Sequence, residues 1–393
     1  MSERLEAQLI TWRRELHSWP ELSNHEQATS ARIRGWLTEA EIHIVDYPIA
    51  SGVIAEIGHG EPLIALRADI DALPIHEATG LSYRSRHEGV MHACGHDIHS
   101  AVMLGAARLL KAQEAELPGR IRLLFQPGEE NCTGARQLIK AGALNGVQAI
   151  FGMHNEPGLP TGTFATRAGA FYANADRFVI RVEGKGAHAA HPEQGVDAIV
   201  IASQIIQALQ ALTSRSFNTL DSLVLSITRI DGGKTWNVLP GVVEFGGTVR
   251  THDLQVRARL EQRVRKVVES VAQGAGAQAT LSWHPGPPVL INDAAWAAFS
   301  SEVARQSGYR VQTADLHLGG EDFAIYLQQI PGAFVSIGSG SEYGLHHGGF
   351  NPDEALIAPA AHYFAALARQ ALQRLNRQTT SPVSVLTGHN QRN

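Results

Sequence analysis

The spacing of apolar residues divides the first part of the chain into helices and strands. Apolar residues recur at helical spacing over 3–17 and 25–40, and again over 101–116. Short apolar runs, which favour buried strands, lie at 51–57, 62–68, 121–126 and 149–153. Strands that alternate with helices are typical of an α/β fold with a parallel sheet. We therefore predict an α/β domain in this part of the chain.

Three of these predicted strands lead directly into acids or histidines. The run 62–68 precedes Asp69 and Asp71, the run 121–126 precedes Glu129 and Glu130, and the run 149–153 precedes His154. Ligands of open α/β sheets bind outside the carboxyl ends of the strands. We therefore expect these side chains to share one crevice.

The pattern changes near Asp176. Strand, helix, strand, strand, helix and strand are predicted at 177–183, 195–213, 222–230, 242–250, 254–273 and 278–284. This βαββαβ order is the ferredoxin-like supersecondary pattern, and helix–loop–strand–helix resumes after it. We predict one domain formed by 1–175 and 289–376, a second domain inserted at 176–288, and a disordered tail at 377–393.

Composition and charge exclude several classes of protein. The 393 residues exceed one ordinary core, and 44% hydrophobic with 18% charged residues is typical of a globular chain. A net charge of −5 gives no basic surface for nucleic acid. No apolar run approaches the roughly 20 residues of a membrane span, and the N-terminus lacks the apolar segment of a secretory signal. We expect a cytoplasmic protein without nucleic-acid or membrane partners.

The segment 91–100, MHACGHDIHS, concentrates side chains that bind metals. It contains His92, Cys94, His96, Asp97 and His99 in a chain that has 19 histidines and two cysteines. Buried polar groups need partners, and histidine is the commonest metal ligand. We interpret the segment as one half of a metal site.

The other half is expected at three later positions. Glu129 and Glu130 follow one strand, His154 follows the next, and the loop GLHHGG contributes His346 or His347. Adjacent side chains of an extended segment point in opposite directions, so one glutamate could bind metal while the other faces substrate. The combined set suffices for two divalent ions that activate water and polarise a carbonyl.

Nine segments between residues 67 and 350 resemble one family. They are RADIDALP, MHACGHDIH, QPGEE, GMHNEP, GKGAHAAHP, NVLP, GTVR, GGEDF and GLHHGGF. They resemble the M20 family of metallo-amidohydrolases and peptidases, in particular its hippurate hydrolases and hydrolases of indoleacetyl and other N-acyl amino acids. The resemblance implies a metallo-exopeptidase-like α/β catalytic domain with an inserted lid and dimerisation domain, and hence a homodimer.

The resemblance also implies roles for individual residues of the catalytic domain. The matching metal ligands are Cys94, His96, Glu130, His154 and His346. Cys94 stands where related branches carry a bridging carboxylate. Glu129 matches the general base that takes a proton from the attacking water, and Asp71 matches a carboxylate that orients a ligand and tunes Glu129.

Four further residues match positions outside the metal site. His188 matches a histidine that stabilises the oxyanion, sometimes across a dimer. Asn237 and Arg250 match residues that hold the free carboxylate of the substrate, and Gly320 matches a backbone contact near it. An arginine suits this task because its guanidinium can bind both carboxylate oxygens.

Simpler interpretations stand beside several of these assignments. Cys94 could be an ordinary buried thiol, and Arg250 could be a salt-bridge partner on a strand. Asp97, His92 and His99 are expected to orient ligands or to be structural rather than to bind metal. The sequence does not separate Asp69 from Asp71.

The resulting hypothesis is a metal-dependent hydrolase of N-acyl or N-aroyl amino acids that releases a carboxylic acid and a free amino acid. Thiolate and imidazole ligands suit zinc, and manganese, cobalt and nickel accept such sites too. A dipeptidase or carboxypeptidase of the same family is the alternative, and it needs a subsite for a free α-amine. A non-catalytic metal- or ligand-binding protein on this scaffold is the third hypothesis.

Overall fold

A computed structural model describes residues 1–218 and 220–380. Its α-helices are α1 (Glu3–Ser18), α2 (Gln27–Glu39), α3 (His96–Lys111), α4 (Gly134–Lys140), α5 (Ala198–Arg215), α6 (Leu254–Gly274), α7 (Ala294–Gln306), α8 (Phe323–Leu327) and α9 (Ile357–Thr380). Short 3₁₀ helices span Glu114–Glu116, Pro192–Gln194 and Glu354–Leu356.

The strands include several of only two residues. They are β1 (His43–Ile44), β2 (Val53–Gly58), β3 (Leu63–Asp69), β4 (Arg120–Gln126), β5 (Val147–Glu156), β6 (Thr163–Thr166), β7 (Gly169–Ala170), β8 (Asn174–Glu183), β9 (Ala187–His188), β10 (Leu223–Gly232), β11 (Val238–Leu239), β12 (Val242–Thr251), β13 (Gln278–His284), β14 (Ile291–Asn292), β15 (Arg310–Thr313) and β16 (Gly332–Gly338).

The chain forms two compact units. Among the described residues, the first unit comprises 1–165, 296–312 and 330–380, and the second comprises 166–295 and 313–329. The stretch 313–329, which the sequence places in the catalytic domain, therefore clusters with the second unit. The domain boundaries drawn from the sequence stay a prediction.

A large mixed sheet forms the centre of the first unit. Its strand order is β1-β2-β4-β3-β5-β16-β6-β15. The four central strands β4, β3, β5 and β16 run parallel, and β2 and β6 flank them in antiparallel pairing. The parallel centre brings the carboxyl ends of β3, β4 and β5 to one edge of the sheet, and the predicted α/β fold is confirmed.

Helix α3 is buried along almost its whole length. It packs against α1, α9 and β3, and its apolar residues belong to the core of the first unit. A helix with apolar residues on more than one face needs such coverage. A Cβ on Gly105 would lie 2.7 Å from both Ala361 Cβ and Leu9 Cδ1, so only glycine permits this close approach of three helices. The first residue of α3, His96, is thereby held in a fixed position.

The second unit contains a four-stranded antiparallel sheet. Its order is β10-β12-β8-β13, and α5 and α6 pack against it around a core that includes Phe178, Ile205 and Val264. Asp197 and Asp253 cap the two helices with their side chains. Buried residues along β8 alternate with exposed or part-exposed ones, as expected for a sheet that covers one face only.

One predicted helix boundary was wrong. Helix α3 begins at His96 rather than at residue 101, because Gly95 supplies a left-handed start (φ +85°) and Asp97 lies in the first turn. Residues 377–380 of the predicted tail belong to α9, and 381–393 lie outside the described residues. Within the described chain, no helix is both long enough and apolar enough to cross a membrane.

Candidate metal centre

The turn before α3 depends on Gly95. A Cβ at this position would lie 2.3 Å from Asn155 Nδ2, and the backbone is left-handed, so a glycine is required for two reasons. Asn155 Nδ2 also donates to the Cys94 carbonyl at 2.7 Å. Cys94 and His96 are therefore fixed to β5, the strand that carries His154.

Cys94 and His154 face each other across this turn. Cys94 Sγ lies 3.3 Å from His154 Nε2. His154 Nδ1 donates to the Asn155 carbonyl at 2.7 Å, which fixes the tautomer with the lone pair on Nε2. Burial lowers the pKa of His154 well below its ordinary value, so the ring is neutral, as a metal ligand must be.

His96 is fully buried and has one ring nitrogen committed. Its Nδ1 donates to Asp71 Oδ1 at 3.1 Å, whereas its Nε2 makes no hydrogen bond within the described residues. Burial lowers the pKa of His96, but the carboxylates of Asp69, Asp71 and Glu130 outweigh it and raise the pKa to about 10. These carboxylates favour a positive charge at Nε2, which a proton or a metal ion can supply.

Glu129 and Glu130 lie in a turn after β4. The expectation that their side chains diverge was wrong, since oxygens of both carboxylates lie within 4.8 Å of one another and of a His96 nitrogen. The alternation rule holds for extended backbone, and this segment turns instead. Glu130 Oε1 is buried without a hydrogen bond within the described chain, 3.9 Å from His96 Nε2 and 3.5 Å from His346 Nε2.

His346, rather than His347, approaches Glu130. The His346 backbone is left-handed (φ +62°), an uncommon conformation for a histidine, and its N–H donates to the Ala93 carbonyl at 2.8 Å. The His347 ring instead stacks on Tyr343 at 4.5 Å between centroids. The structure therefore separates two histidines that the sequence left ambiguous.

The five predicted ligands form two groups that share Cys94. The groups are Cys94, His96 and His154, and Cys94, Glu130 and His346, with ligand atoms within 4.8 Å of one another in each. Burial raises the pKa of the Cys94 thiol, and the carboxylates of Glu130 and Glu129 raise it further. A thiolate here needs a compensating cation. The unpartnered His96 and Glu130 atoms and this mixed thiolate, imidazole and carboxylate set fit a divalent metal site.

Around the ligands lies a layer of buried polar residues. His99 Nδ1 donates to Asp69 Oδ1 at 2.6 Å, and its Nε2 accepts the Asn155 N–H at 2.9 Å, so both ring nitrogens are engaged. Arg67 Nη1 donates to Asp69 Oδ2 at 2.6 Å. Asp69 thus supports His99, while Asp71 supports His96. Asn155, which ties these groups to Cys94, was not identified from the sequence.

A buried ion pair joins α1 to the first turn of α3. Arg13 Nε and His17 Nδ1 lie 2.9 and 2.8 Å from Asp97 Oδ2. The sequence carries a signal for this pair, because Arg13 and His17 continue the buried face of Leu9 and Leu16 at helical spacing. Charged residues on a buried face need partners, and Asp97 is the partner.

His188 and Asn237 lie together in the second unit, on the ribbon of β9 and β11. His188 pairs with Val238, and the Ala189 N–H donates to the Asn237 carbonyl at 3.0 Å. The His188 side chain is exposed, and its Nδ1 accepts the Ala190 N–H at 3.1 Å. In the neutral ring the proton is therefore on Nε2, which is left to donate.

Arg250 and Gly320 also adjoin each other in the second unit. A Cβ on Gly320 would lie 2.7 Å from Ala175 Cβ and 3.4 Å from Arg250 Nη1, so the glycine lets its backbone approach the guanidinium. Arg250 Nε donates to Thr248 Oγ1 at 3.1 Å, which orients the group. The four residues predicted outside the metal site therefore form two pairs, His188 with Asn237 and Arg250 with Gly320.

Comparisons with known proteins agree with this geometry. Residues 65–370 match the family described as "Peptidase family M20/M25/M40". An N-acetylcysteine deacetylase of Bacillus subtilis is 47% identical over 93% of this chain and 97% of its own length. An IAA-amino acid hydrolase (ILR1-like 2) of Arabidopsis thaliana is 37% identical over 95% of this chain and 86% of its own.

A solved structure is similar across both units. It is a dinuclear metal-binding peptidase of the M20 family from Bacillus subtilis, 44% identical, with a TM-score of 0.85 over 95% of this chain and 99% of that chain. The family match covers most of the chain, and the two sequence relatives exceed 30% identity over nearly its whole length. This chain belongs to peptidase family M20/M25/M40.

Proposed function

We propose that this protein is a metal-dependent amidohydrolase that cleaves the amide of an N-acyl amino acid into a carboxylic acid and a free amino acid. The observation that carries the proposal is the convergence of Cys94, His96, Glu130, His154 and His346 beside the buried carboxylate of Glu129. The names of the relatives, an acetylcysteine deacetylase and a hydrolase of indoleacetyl amino acids, support the substrate class.

Two divalent metal ions complete the site. One ion would be held by Cys94, His96 and His154, and the other by Cys94, Glu130 and His346. A pair of such ions lowers the pKa of water and polarises a carbonyl. Zinc, manganese, cobalt and nickel all accept this donor set.

Glu129 is the proposed general base. It takes the proton from the attacking water and delivers it to the leaving amine. Asp71 has two tasks: it accepts the His96 Nδ1–H, and it accepts the Glu130 N–H at 3.0 Å, so it orients a ligand and the turn that carries the base.

The second unit supplies the proposed substrate contacts. His188 presents an Nε2–H that can stabilise the oxyanion. Arg250 and Asn237 hold the α-carboxylate, and the backbone of Gly320 lies beside Arg250. These are the roles that the resemblance to the M20 family implies for the matching residues of this sequence.

We also propose a homodimer formed through the second unit. Large apolar side chains of this unit are exposed, among them Ile199, Val200, Ile230 and Val238. Size-exclusion chromatography with light scattering should give twice the chain mass of 42.4 kDa, and the mass of a single chain would contradict the dimer. The cytoplasmic location stays a prediction.

The test of the reaction is the Glu129→Gln variant. We expect the variant to keep its metal content, by elemental analysis, and to lose about 10²–10⁴-fold in kcat on N-acetyl amino acids, since only proton transfer is removed. Glu302→Gln, an exposed change on α7, should match the wild type. Near-normal turnover by Glu129→Gln would refute the assignment of the base.

The same assay separates the alternatives. A dipeptidase or carboxypeptidase would hydrolyse a dipeptide faster than the N-acetyl amino acid with the same C-terminal residue. A non-catalytic binding protein would bind two ions and hydrolyse neither substrate.

A further inference from the structure

Residues 23–26, between α1 and α2, contact the candidate site from outside the metal-binding segments. Ser23 Oγ donates to Asp71 Oδ2 at 2.7 Å. Asn24 Nδ2 donates to Thr133 Oγ1 at 3.1 Å, and Asn24 Oδ1 accepts from Gln137 Nε2 at 2.7 Å. We call these four residues the N-terminal strap. The strap contacts both the predicted orienting acid and the turn that carries Glu129.

Glu26 is the most buried residue of the strap. It is 0% exposed and forms no ion pair in the described part of the chain. Its Oε1 accepts hydrogen bonds from the backbone N–H groups of Gly128 and Asn24, both at 2.8 Å. Its Oε2 accepts a hydrogen bond from the Ser51 hydroxyl at 2.8 Å. Burial raises the pKa of Glu26, and the three donors offset part of that cost. A carboxylate without a cation here serves to hold three chain segments together.

In the turn after β4, the backbone N–H groups of both neighbours of Glu129 are hydrogen-bonded. Gly128 is left-handed (φ +60°), and its carbonyl accepts the N–H groups of Thr133 and Gly134 at 3.0 Å. The Gly128 N–H donates to Glu26 Oε1, and the Glu130 N–H donates to Asp71 Oδ2 at 3.0 Å. Glu129 therefore lies between two backbone amides, each fixed by a buried carboxylate.

We propose that Glu26 is a positioning residue for Glu129. It acts through the Gly128 amide, fixes the start of the turn and so sets the direction of the Glu129 side chain. This inference rests on the proposed function, since it takes Glu129 as the base. The position of the Glu26 oxygens, rather than their charge, holds the turn in place. The reason is that the Gly128 N–H of the turn and the Asn24 N–H of the strap both donate to the same oxygen, Oε1.

Two substitutions separate geometry from charge. Glu26→Gln keeps an oxygen in the place of Oε1, and Ser51 can turn its hydroxyl to accept from the new amide. Glu26→Asp keeps the charge but is one methylene shorter, so it cannot reach Gly128 and Ser51 together. The control is Ser51→Ala, which removes the bond on the side away from the turn.

The experiment measures kcat, KM and metal content for these variants, together with hydrogen exchange of the segment 127–134. We expect Glu26→Asp to lower kcat by about 10–100-fold with KM and metal content unchanged, because small misplacements of a catalytic group have effects of this size. Its Gly128 amide should exchange faster. Glu26→Gln should restore most of kcat and the protection, and Ser51→Ala should resemble the wild type.

Three outcomes would overturn the inference while leaving the proposed function intact. They are full activity in Glu26→Asp, a larger loss in Glu26→Gln than in Glu26→Asp, or a loss of kcat that follows loss of metal. If Glu26→Asp does not fold, Glu26→Gln decides alone: retained kcat with retained protection of the Gly128 amide supports the inference, and loss of kcat with the amide still protected overturns it. An inactive wild type, or an active Glu129→Gln, would instead refute the proposed function and the inference with it.

Discussion

The candidate metal centre of the first unit and the β9–β11 ribbon of the second, which carries the predicted oxyanion residue His188, are held in very different ways. Cys94, His96 and His154 are each 7% exposed or less, and buried polar neighbours fix their orientation. His188 is exposed on a ribbon of two-residue strands, and the neighbouring Trp236 is 92% exposed.

This difference indicates two separate tasks. Buried side chains that are hydrogen-bonded to buried neighbours, such as Cys94, His96 and His154, keep their geometry without a substrate. Tight metal binding and proton transfer both require a fixed geometry of this kind. Exposed side chains on a short ribbon have few contacts of their own, so a bound substrate is expected to order them. Substitutions in the first group should therefore affect metal content and stability, and those in the second should affect turnover alone.

The largest effect is expected from Cys94→Ala. The variant loses the ligand common to both groups, so we expect bound metal to fall below two ions per chain and hydrolysis to fall below detection. Elemental analysis and an N-acetyl amino acid assay measure both. Cys132→Ala, outside the ligand groups, is the control and should retain both ions. Two tightly bound ions in Cys94→Ala would show that the thiolate is not a ligand.

A smaller effect is expected from His188→Ala. The loss of an oxyanion donor should lower kcat by about 10²–10³-fold, with metal content and Tm unchanged because the side chain is exposed. His191→Ala, whose side chain is 59% exposed in the same loop, should match the wild type. A fall in Tm or metal content in His188→Ala would contradict the separation of tasks.

The smallest effect concerns the buried network behind α3. Burial lowers the pKa of His17, but the carboxylate of Asp97 and the hydrogen bond that His17 Nε2 donates to Glu77 outweigh both burial and the charge of Arg13, so the pKa lies above its ordinary 6.5. A group with a raised folded-state pKa stabilises the fold fully below its unfolded-state pKa, and the contribution is lost as pH rises through the folded-state value.

We therefore expect the free energy of unfolding of the wild type to exceed that of His17→Gln most below about pH 6.5. The difference should shrink at higher pH. Urea titrations at several pH values measure this difference in the free energy of unfolding. EDTA is added so that bound metal does not contribute to it. A difference that grows with pH would mean that His17 is neutral in the folded protein.

Some of this organisation was readable from the sequence because it depends on local pattern. Apolar runs predicted the strands of both sheets, and the family segments predicted metal-dependent hydrolysis of N-acyl amino acids, which the relatives support. The convergence of Glu129 and Glu130 was mispredicted because the alternation rule was applied to a segment that turns. The start of α3 was placed too late because the left-handed Gly95 was not recognised as a helix boundary.

The sequence by itself determined the α/β class, the βαββαβ segment and the residue types available for a metal site. Only the tertiary structure decided which histidine of the pair 346–347 approaches Glu130, that Asp71 supports His96 while Asp69 supports His99, and that Glu26 and Arg13 reach this region from the N-terminal helices. The physical reason is that backbone propensity is a property of neighbouring residues. The partner of a buried charge lies wherever the packed chain brings one, and for Glu26 it lies 102 residues further along the chain.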